Sequence, residues 1–120
     1  MEVNSARHQF SMNSVLLTLF YTSLPIFIYN IPLYTKVMIK PSTVVEIAAI
    51  SEIIGMKDSS SNLAYLSMIQ HLVQDRPDFS LFAGIEEFTA HFILMGGHGG
   101  VSGGANMFPK LYVDMYNAAM

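Results

Sequence analysis

The sequence contains no cysteine, which excludes disulfide bonds and thiol nucleophiles. It is also poor in charge: charged residues make up 12% of the 120 residues, whereas hydrophobic residues make up 52%. This composition excludes a disordered chain. The low charge predicts that part of the surface is covered by more chain, by a partner or by a membrane. The absence of cysteine fits a cytoplasmic protein, which is the predicted location.

Positive charge is scarce as well. The six Lys and Arg residues are scattered, the net charge is −3 and the pI is about 5.7, so the chain has no electrostatic footprint for nucleic acid. The four His residues lack the spacing of metal ligands, and no metal site is predicted. These features predict that the chain does not bind nucleic acid.

One long stretch without charge could in principle form a membrane-spanning helix. Residues 8–35 carry no Asp, Glu, Lys or Arg, which by length alone would allow a spanning helix. Pro25 and Pro32 interrupt the stretch and Asn30 lies inside it, so we predict no membrane segment. The alternative of an N-terminal membrane helix is discarded if residues 25–30 form a strand.

Short apolar runs alternate with helical patterns along most of the chain. The apolar runs lie within residues 25–30, 52–57, 78–84 and 99–105. The helical patterns lie at residues 40–50, 61–73, 85–95 and 109–119. Such alternation predicts parallel strands joined by right-handed crossovers, which is the pattern of an α/β protein.

Two neighbouring strands of the predicted sheet end in residues of chemical interest, Tyr29 and Lys57. Ligands bind at the carboxyl ends of parallel strands, so both side chains would face one mouth. A lysine at a strand end usually extends into water, and a tyrosine there usually caps the core. The other interpretation is an amine that attacks a ketone to form an imine, with the tyrosine as proton carrier.

Four segments carry a family resemblance: LPIFIYNIP, IIGMKDSS, LFAGIEE and GGHGGVSGGANMFPKLY. In this order and spacing, they resemble the dihydrodipicolinate synthase/N-acetylneuraminate lyase family of pyruvate-type class I aldolases. The resemblance extends over residues 24–119. It implies an α/β fold that forms part of a (β/α)8 TIM barrel, namely its fifth to eighth strands with their helices.

The resemblance also implies a chemistry and a site. Lys57 would be the Schiff-base lysine and Tyr29 the catalytic tyrosine of a carbon–carbon lyase that acts on pyruvate-type 2-oxo acids. Gly84 and Val101 would lend backbone polar groups to the pocket wall, and Ser59 would meet substrate hydroxyls. No metal and no organic cofactor are implied, and the predicted assembly is a homo-oligomer.

The chain also departs from the family pattern. A barrel of this kind has eight strands and typically about 250 residues, and the segment that holds the substrate carboxylate has no counterpart here. We therefore expect a truncated form, with an irregular segment and shortened helix at residues 1–23 and a half-barrel at 24–120. The alternative is an inactive half-barrel that persists by homo-oligomerisation, because four strands leave two open edges.

The substrate is less well indicated by the motifs. Family members that act as dihydrodipicolinate synthases carry an arginine where this chain has Tyr34, and the sialic acid lyases usually carry a histidine where it has Asn30. A permanently charged donor for a second carboxylate is therefore missing. This departure favours a 2-keto-3-deoxy sugar acid over aspartate semialdehyde.

Overall fold

The computed structural model describes residues 12–120, so residues 1–11 of the predicted N-terminal segment at residues 1–23 lie outside its description. The helices are α1 (Met12–Tyr21), α2 (Pro32–Thr35), α3 (Pro41–Ala48), α4 (Leu63–Leu72), α5 (Glu86–Leu94) and α6 (Pro109–Ala119). The strands are β1 (Ile26–Asn30), β2 (Ile53–Asp58), β3 (Ser80–Ala83) and β4 (Gly99–Gly100), and a 3₁₀ turn spans Gly103–Asn106. The division of the chain at residues 23 and 24 stays a prediction.

The four strands form one parallel sheet in the order β1-β2-β3-β4. This arrangement confirms the α/β alternation predicted from the sequence. Because β1 is a strand, the membrane-helix alternative for that stretch is discarded. Across residues 12–120, no helix has both the length and the apolar character needed to cross a membrane.

Local sequence explains where the principal helices begin. A proline stands at the first position of α3 and of α6, where its missing N–H costs no helical hydrogen bond. Asn62 caps the start of helix α4, because its side-chain oxygen accepts a hydrogen bond from the backbone N–H of Tyr65 at 2.9 Å. Helices α4 and α5 each start five residues or fewer after the preceding strand ends, and they return the chain to the sheet in the same direction.

The hydrophobic core lies between the helices and one face of the sheet. Its most deeply buried large side chains include Ile47, Ile53, Met56, Ile69, Phe79, Leu81 and Phe92. Alternate residues of a strand point to opposite faces, so the remaining strand residues face the other side. That side, which we call the open sheet face, is formed by Phe27, Tyr29, Lys57 and Phe82.

The open sheet face is largely apolar, and none of the helices within residues 12–120 covers it. Phe27 is 45% exposed and Tyr29 is 47% exposed. The rings of Phe27 and Phe82 lie 5.8 Å apart between centroids, and the Phe27 ring lies over Gly55. A β-carbon on Gly55 would lie 2.3 Å from the Phe27 ring and 2.4 Å from the Ser80 carbonyl oxygen, so only glycine leaves room for the Phe27 ring over β2.

Candidate active site

Tyr29 and Lys57 lie side by side at the carboxyl ends of β1 and β2. The two residues are paired in the strand register, which puts their side chains on the same face of the sheet. The Lys57 Nζ atom is 4.4 Å from the centroid of the Tyr29 ring. The sheet therefore brings an amine and a phenol together at one mouth, as the positions of the strand ends predicted.

Ser59 joins this pair because the chain turns just after β2. Its backbone N–H donates to the Asn30 carbonyl at 2.8 Å, which carries the hydrogen bonding between β1 and β2 one residue beyond the strands. Its hydroxyl donates to the Tyr29 phenol oxygen at 3.3 Å. The pKa of Tyr29 lies below its ordinary value, chiefly because of this hydrogen bond. Desolvation opposes the shift, and Lys57 contributes a smaller lowering.

Removing the Ser59 hydroxyl should raise the pKa of Tyr29. In Ser59→Ala the phenolate loses a hydrogen-bond donor, so its ionised form becomes less stable. A titration of the ¹³Cζ resonance of Tyr29, assigned with Tyr29→Phe, measures the pKa directly. Ser67→Ala is the matched control, because the Ser67 hydroxyl donates to the Leu63 carbonyl within α4. An unchanged Tyr29 pKa in Ser59→Ala would contradict the prediction.

Gly84 lies against this group from the end of β3. Its N–H donates to the Asp58 carbonyl at 2.7 Å. A β-carbon at residue 84 would lie 1.9 Å from Ser59 Oγ and 2.9 Å from Lys57 Cε. Because Gly84 has no side chain, the methylene groups of Lys57 and the hydroxyl of Ser59 can occupy this space.

Val101 follows β4 at the same end of the sheet and is 51% exposed. Its N–H donates to the Ala83 carbonyl at 2.9 Å. The N–H groups of Gly84 and Val101 are thus both used within the sheet. Gly84 and Val101 can therefore offer a ligand their backbone carbonyl oxygens but not their N–H groups.

Glu86, which sequence reasoning did not assign to the site, connects the loops after β3 and β4. Its carboxylate accepts a hydrogen bond from the Gly104 N–H at 2.5 Å and another from the Tyr112 hydroxyl at 2.7 Å. These donors, Gly104 first, hold the pKa of Glu86 below its usual range. The only signal in the sequence was an acid in the first turn of a helix, which gives no indication of its partners.

Behind the Tyr29–Lys57 pair, on the helix-covered face, lies a second polar pair. The Asn30 Nδ2 group donates to Asp58 Oδ1 at 2.7 Å, and both side chains are buried. The Ser60 hydroxyl donates to the other carboxylate oxygen at 2.8 Å. Burial raises the pKa of Asp58, and the hydrogen bonds from Asn30 and Ser60 offset part of that shift.

Fold and site together define a class of protein. It is a parallel α/β protein in which a lysine and a tyrosine share the mouth formed by the carboxyl ends of the strands. Comparison with known proteins identifies the family. The chain belongs to the dihydrodipicolinate synthetase family, whose family model matches residues 17–120.

Individual relatives agree with this assignment. The chain is 35% identical over 99 residues to 4-hydroxy-tetrahydrodipicolinate synthase of Shewanella sp. strain ANA-3. It is 46% identical to the dihydrodipicolinate synthase structure from Bacteroides thetaiotaomicron, with a TM-score of 0.78. It is 27% identical to YagE, a prophage protein of the family from E. coli K12 solved in complex with pyruvate, with a TM-score of 0.80.

The match covers most of this chain but a minor part of each relative. The aligned region is 82% of this chain and 33% of the Shewanella synthase. For the two structures, the aligned regions are 92% and 93% of this chain but 39% and 40% of theirs. The chain thus spans about a third of the length of the curated relative. The prediction of a partial (β/α)8 barrel is confirmed.

Proposed function

We propose that this chain carries the imine-forming centre of a class I aldolase or lyase that acts on pyruvate-type 2-oxo acids. The observation that carries the proposal is the contact between Lys57 Nζ and the Tyr29 ring on one face of the sheet. A lysine amine is the group that forms imines with ketones, and a tyrosine within reach of it is a suitable proton carrier. The family assignment and the pyruvate complex of YagE support the class of substrate.

The proposed reaction begins with Lys57 as nucleophile. The neutral amine attacks the C2 carbonyl of the 2-oxo acid, and the resulting carbinolamine loses water to give an iminium ion. The iminium carbon withdraws electrons from C3. It therefore stabilises the enamine that forms when the C3–C4 bond breaks, or when C3 loses a proton before condensation.

Tyr29 has the position and the chemistry to move protons during these steps. Its phenol lies beside the lysine, so it can give a proton to the leaving hydroxyl of the carbinolamine and take one from the substrate's C4 hydroxyl during cleavage. The Ser59 donor stabilises the phenolate, which makes the Tyr29 hydroxyl a better proton donor to the leaving hydroxyl of the carbinolamine. Ser59 and the carbonyl groups of Gly84 and Val101 are proposed to contact substrate.

Imine trapping tests this function. We expect the chain, incubated with pyruvate and borohydride, to gain one reduced pyruvate adduct by intact mass, and Lys57→Ala to gain none. Lys110→Ala is the control, because Lys110 is an exposed lysine that pairs with Asp114 on α6. The proposal fails if a folded wild-type chain forms no adduct, or if the adduct persists in Lys57→Ala.

A second candidate is an inactive half-barrel that associates with a copy of itself. The open sheet face favours it, because Phe27 and Tyr29 are about half exposed there. Within residues 12–120, β1 and β4 each pair with a single strand, which leaves both sheet edges free. Absence of an adduct in a folded, self-associated chain would favour this candidate over the first.

A further inference from the structure

The polar pair Asn30 and Asp58 directly follows the proposed catalytic residues in the strand register. Asn30 directly follows Tyr29, Asp58 directly follows Lys57, and Asn30 is paired with Asp58 in the register. Successive residues of a strand point to opposite faces. The buried pair therefore lies back to back with the reacting pair, on the same two strand ends.

Asn30 uses its side-chain amide in two directions. Its Nδ2 group donates to Asp58 Oδ1 at 2.7 Å and contacts the Met38 sulfur at 3.4 Å. Its Oδ1 atom accepts from the Ile39 N–H at 3.2 Å. One side chain thus ties the end of β1 to the end of β2 and to the segment that leads into α3.

The same segment is held from the other side. The Tyr65 hydroxyl, on α4, donates to the Ile39 carbonyl at 2.7 Å. Both backbone polar groups of Ile39 therefore bond to side chains, one from β1 and one from α4. Asp58 is bound in turn to Ser60, in the turn that leads to α4. The network closes around the carboxyl ends of β1 and β2.

Burying a carboxylate costs more free energy than burying an apolar side chain of similar volume. Asp58 is 3% exposed and Asn30 is 1% exposed, and an apolar pair of similar volume would avoid the desolvation of the charge. The polar pair instead fixes the relative position of the ends of β1 and β2, because a hydrogen bond restricts both the distance and the angle between its groups. Apolar packing alone restricts them less. The pair holds the last residues of β1 and β2 together, directly beside Tyr29 and Lys57.

We infer that Asn30 and Asp58 are positioning residues that hold Tyr29 and Lys57 in contact. The catalytic consequence rests on the proposed function, whereas the structural consequence does not. Breaking the pair should let the strand ends separate or rotate and move the lysine away from the phenol. A displacement of about 1 Å at a reacting group can cost on the order of a hundredfold in rate.

Two measurements test the inference on the full chain. The first is the nuclear Overhauser contact between the Lys57 ε-methylene and the Tyr29 ring, which reports their separation without any reaction. The second is the rate of pyruvate imine trapping. In Asn30→Leu, which keeps the volume and removes the hydrogen bonds, we expect the contact to disappear and trapping to slow by about tenfold or more.

Conservative and unrelated variants separate positioning from general stability. Asp58→Asn keeps an acceptor for Asn30 and a polar group for Ser60, so it should retain the contact and the trapping rate. Phe92→Leu lowers stability through the α5 core and should also retain both, at a similar loss of thermal stability. If Asn30→Leu does not fold, Asp58→Ala removes the same bond from the other strand.

The outcomes distinguish the inference from the proposed function. The inference is wrong if a folded Asn30→Leu or Asp58→Ala variant keeps the Lys57–Tyr29 contact, or if Phe92→Leu loses it equally. If the wild-type chain shows the contact but forms no adduct, the proposed function fails. In that case the contact comparison still decides whether Asn30 and Asp58 position the pair.

Discussion

Gly84→Ala will slow pyruvate imine trapping by about a hundredfold, the cost typical of displacing a reacting group by ~1 Å. The new β-carbon would lie 1.9 Å from Ser59 Oγ and 2.9 Å from Lys57 Cε, distances at which atoms overlap. It would also lie 3.1 Å from the Asp58 carbonyl, which is backbone and cannot rotate away. The side chains of Ser59 and Lys57 must therefore move, and both belong to the proposed site.

The measurement is the trapping rate together with a thermal unfolding curve, so that loss of fold is separated from loss of chemistry. Gly103→Ala is the matched control, because a β-carbon there would meet only Glu86 Oε1, at an ordinary contact distance of 3.5 Å. The control should trap pyruvate at close to the wild-type rate. Wild-type trapping by Gly84→Ala would show that the tight packing around Lys57 is not required for the reaction.

The purified 120-residue chain will sediment as a dimer, or else aggregate, and will not persist as a monomer. Exposed apolar side chains on the open sheet face and two free sheet edges both favour association. Because all four strands are parallel, a two-fold axis along the strands would place β4 of each copy beside β1 of the other. Eight parallel strands would then close into a barrel around the two Lys57 side chains.

Sedimentation velocity, which measures the association state, and binding of an apolar dye, which reports exposed apolar surface, test this prediction. Phe27→Asp puts a charge on the open sheet face and should shift the chain towards monomer. Leu94→Gln, which changes an exposed apolar residue on α5, should leave the association unchanged. A wild-type chain that stays monomeric and binds no dye would contradict the prediction and would exclude association through this face.

Local patterns in the sequence predicted most of the secondary structure. Short apolar runs predicted all four strands, and the prolines at residues 41 and 109 marked the starts of two helices. The sequence patterns did not predict helix α2 or the 3₁₀ turn at Gly103–Asn106. Both are single turns, too short to show a hydrophobic period.

The sequence by itself determined the α/β class and the neighbouring positions of Tyr29 and Lys57, because periodicity and the order of strands along the chain carry that information. Its four motifs carried the family resemblance. Only the tertiary structure decided which polar groups meet. The bonds from Ser59 to Tyr29, from Asn30 to Asp58 and from Gly104 to Glu86 join residues 30, 28 and 18 positions apart. Such contacts depend on strand register and on loop paths, and a register shift of one residue would turn each strand side chain to the opposite face. No local pattern encodes that choice, which is made when the whole sheet packs.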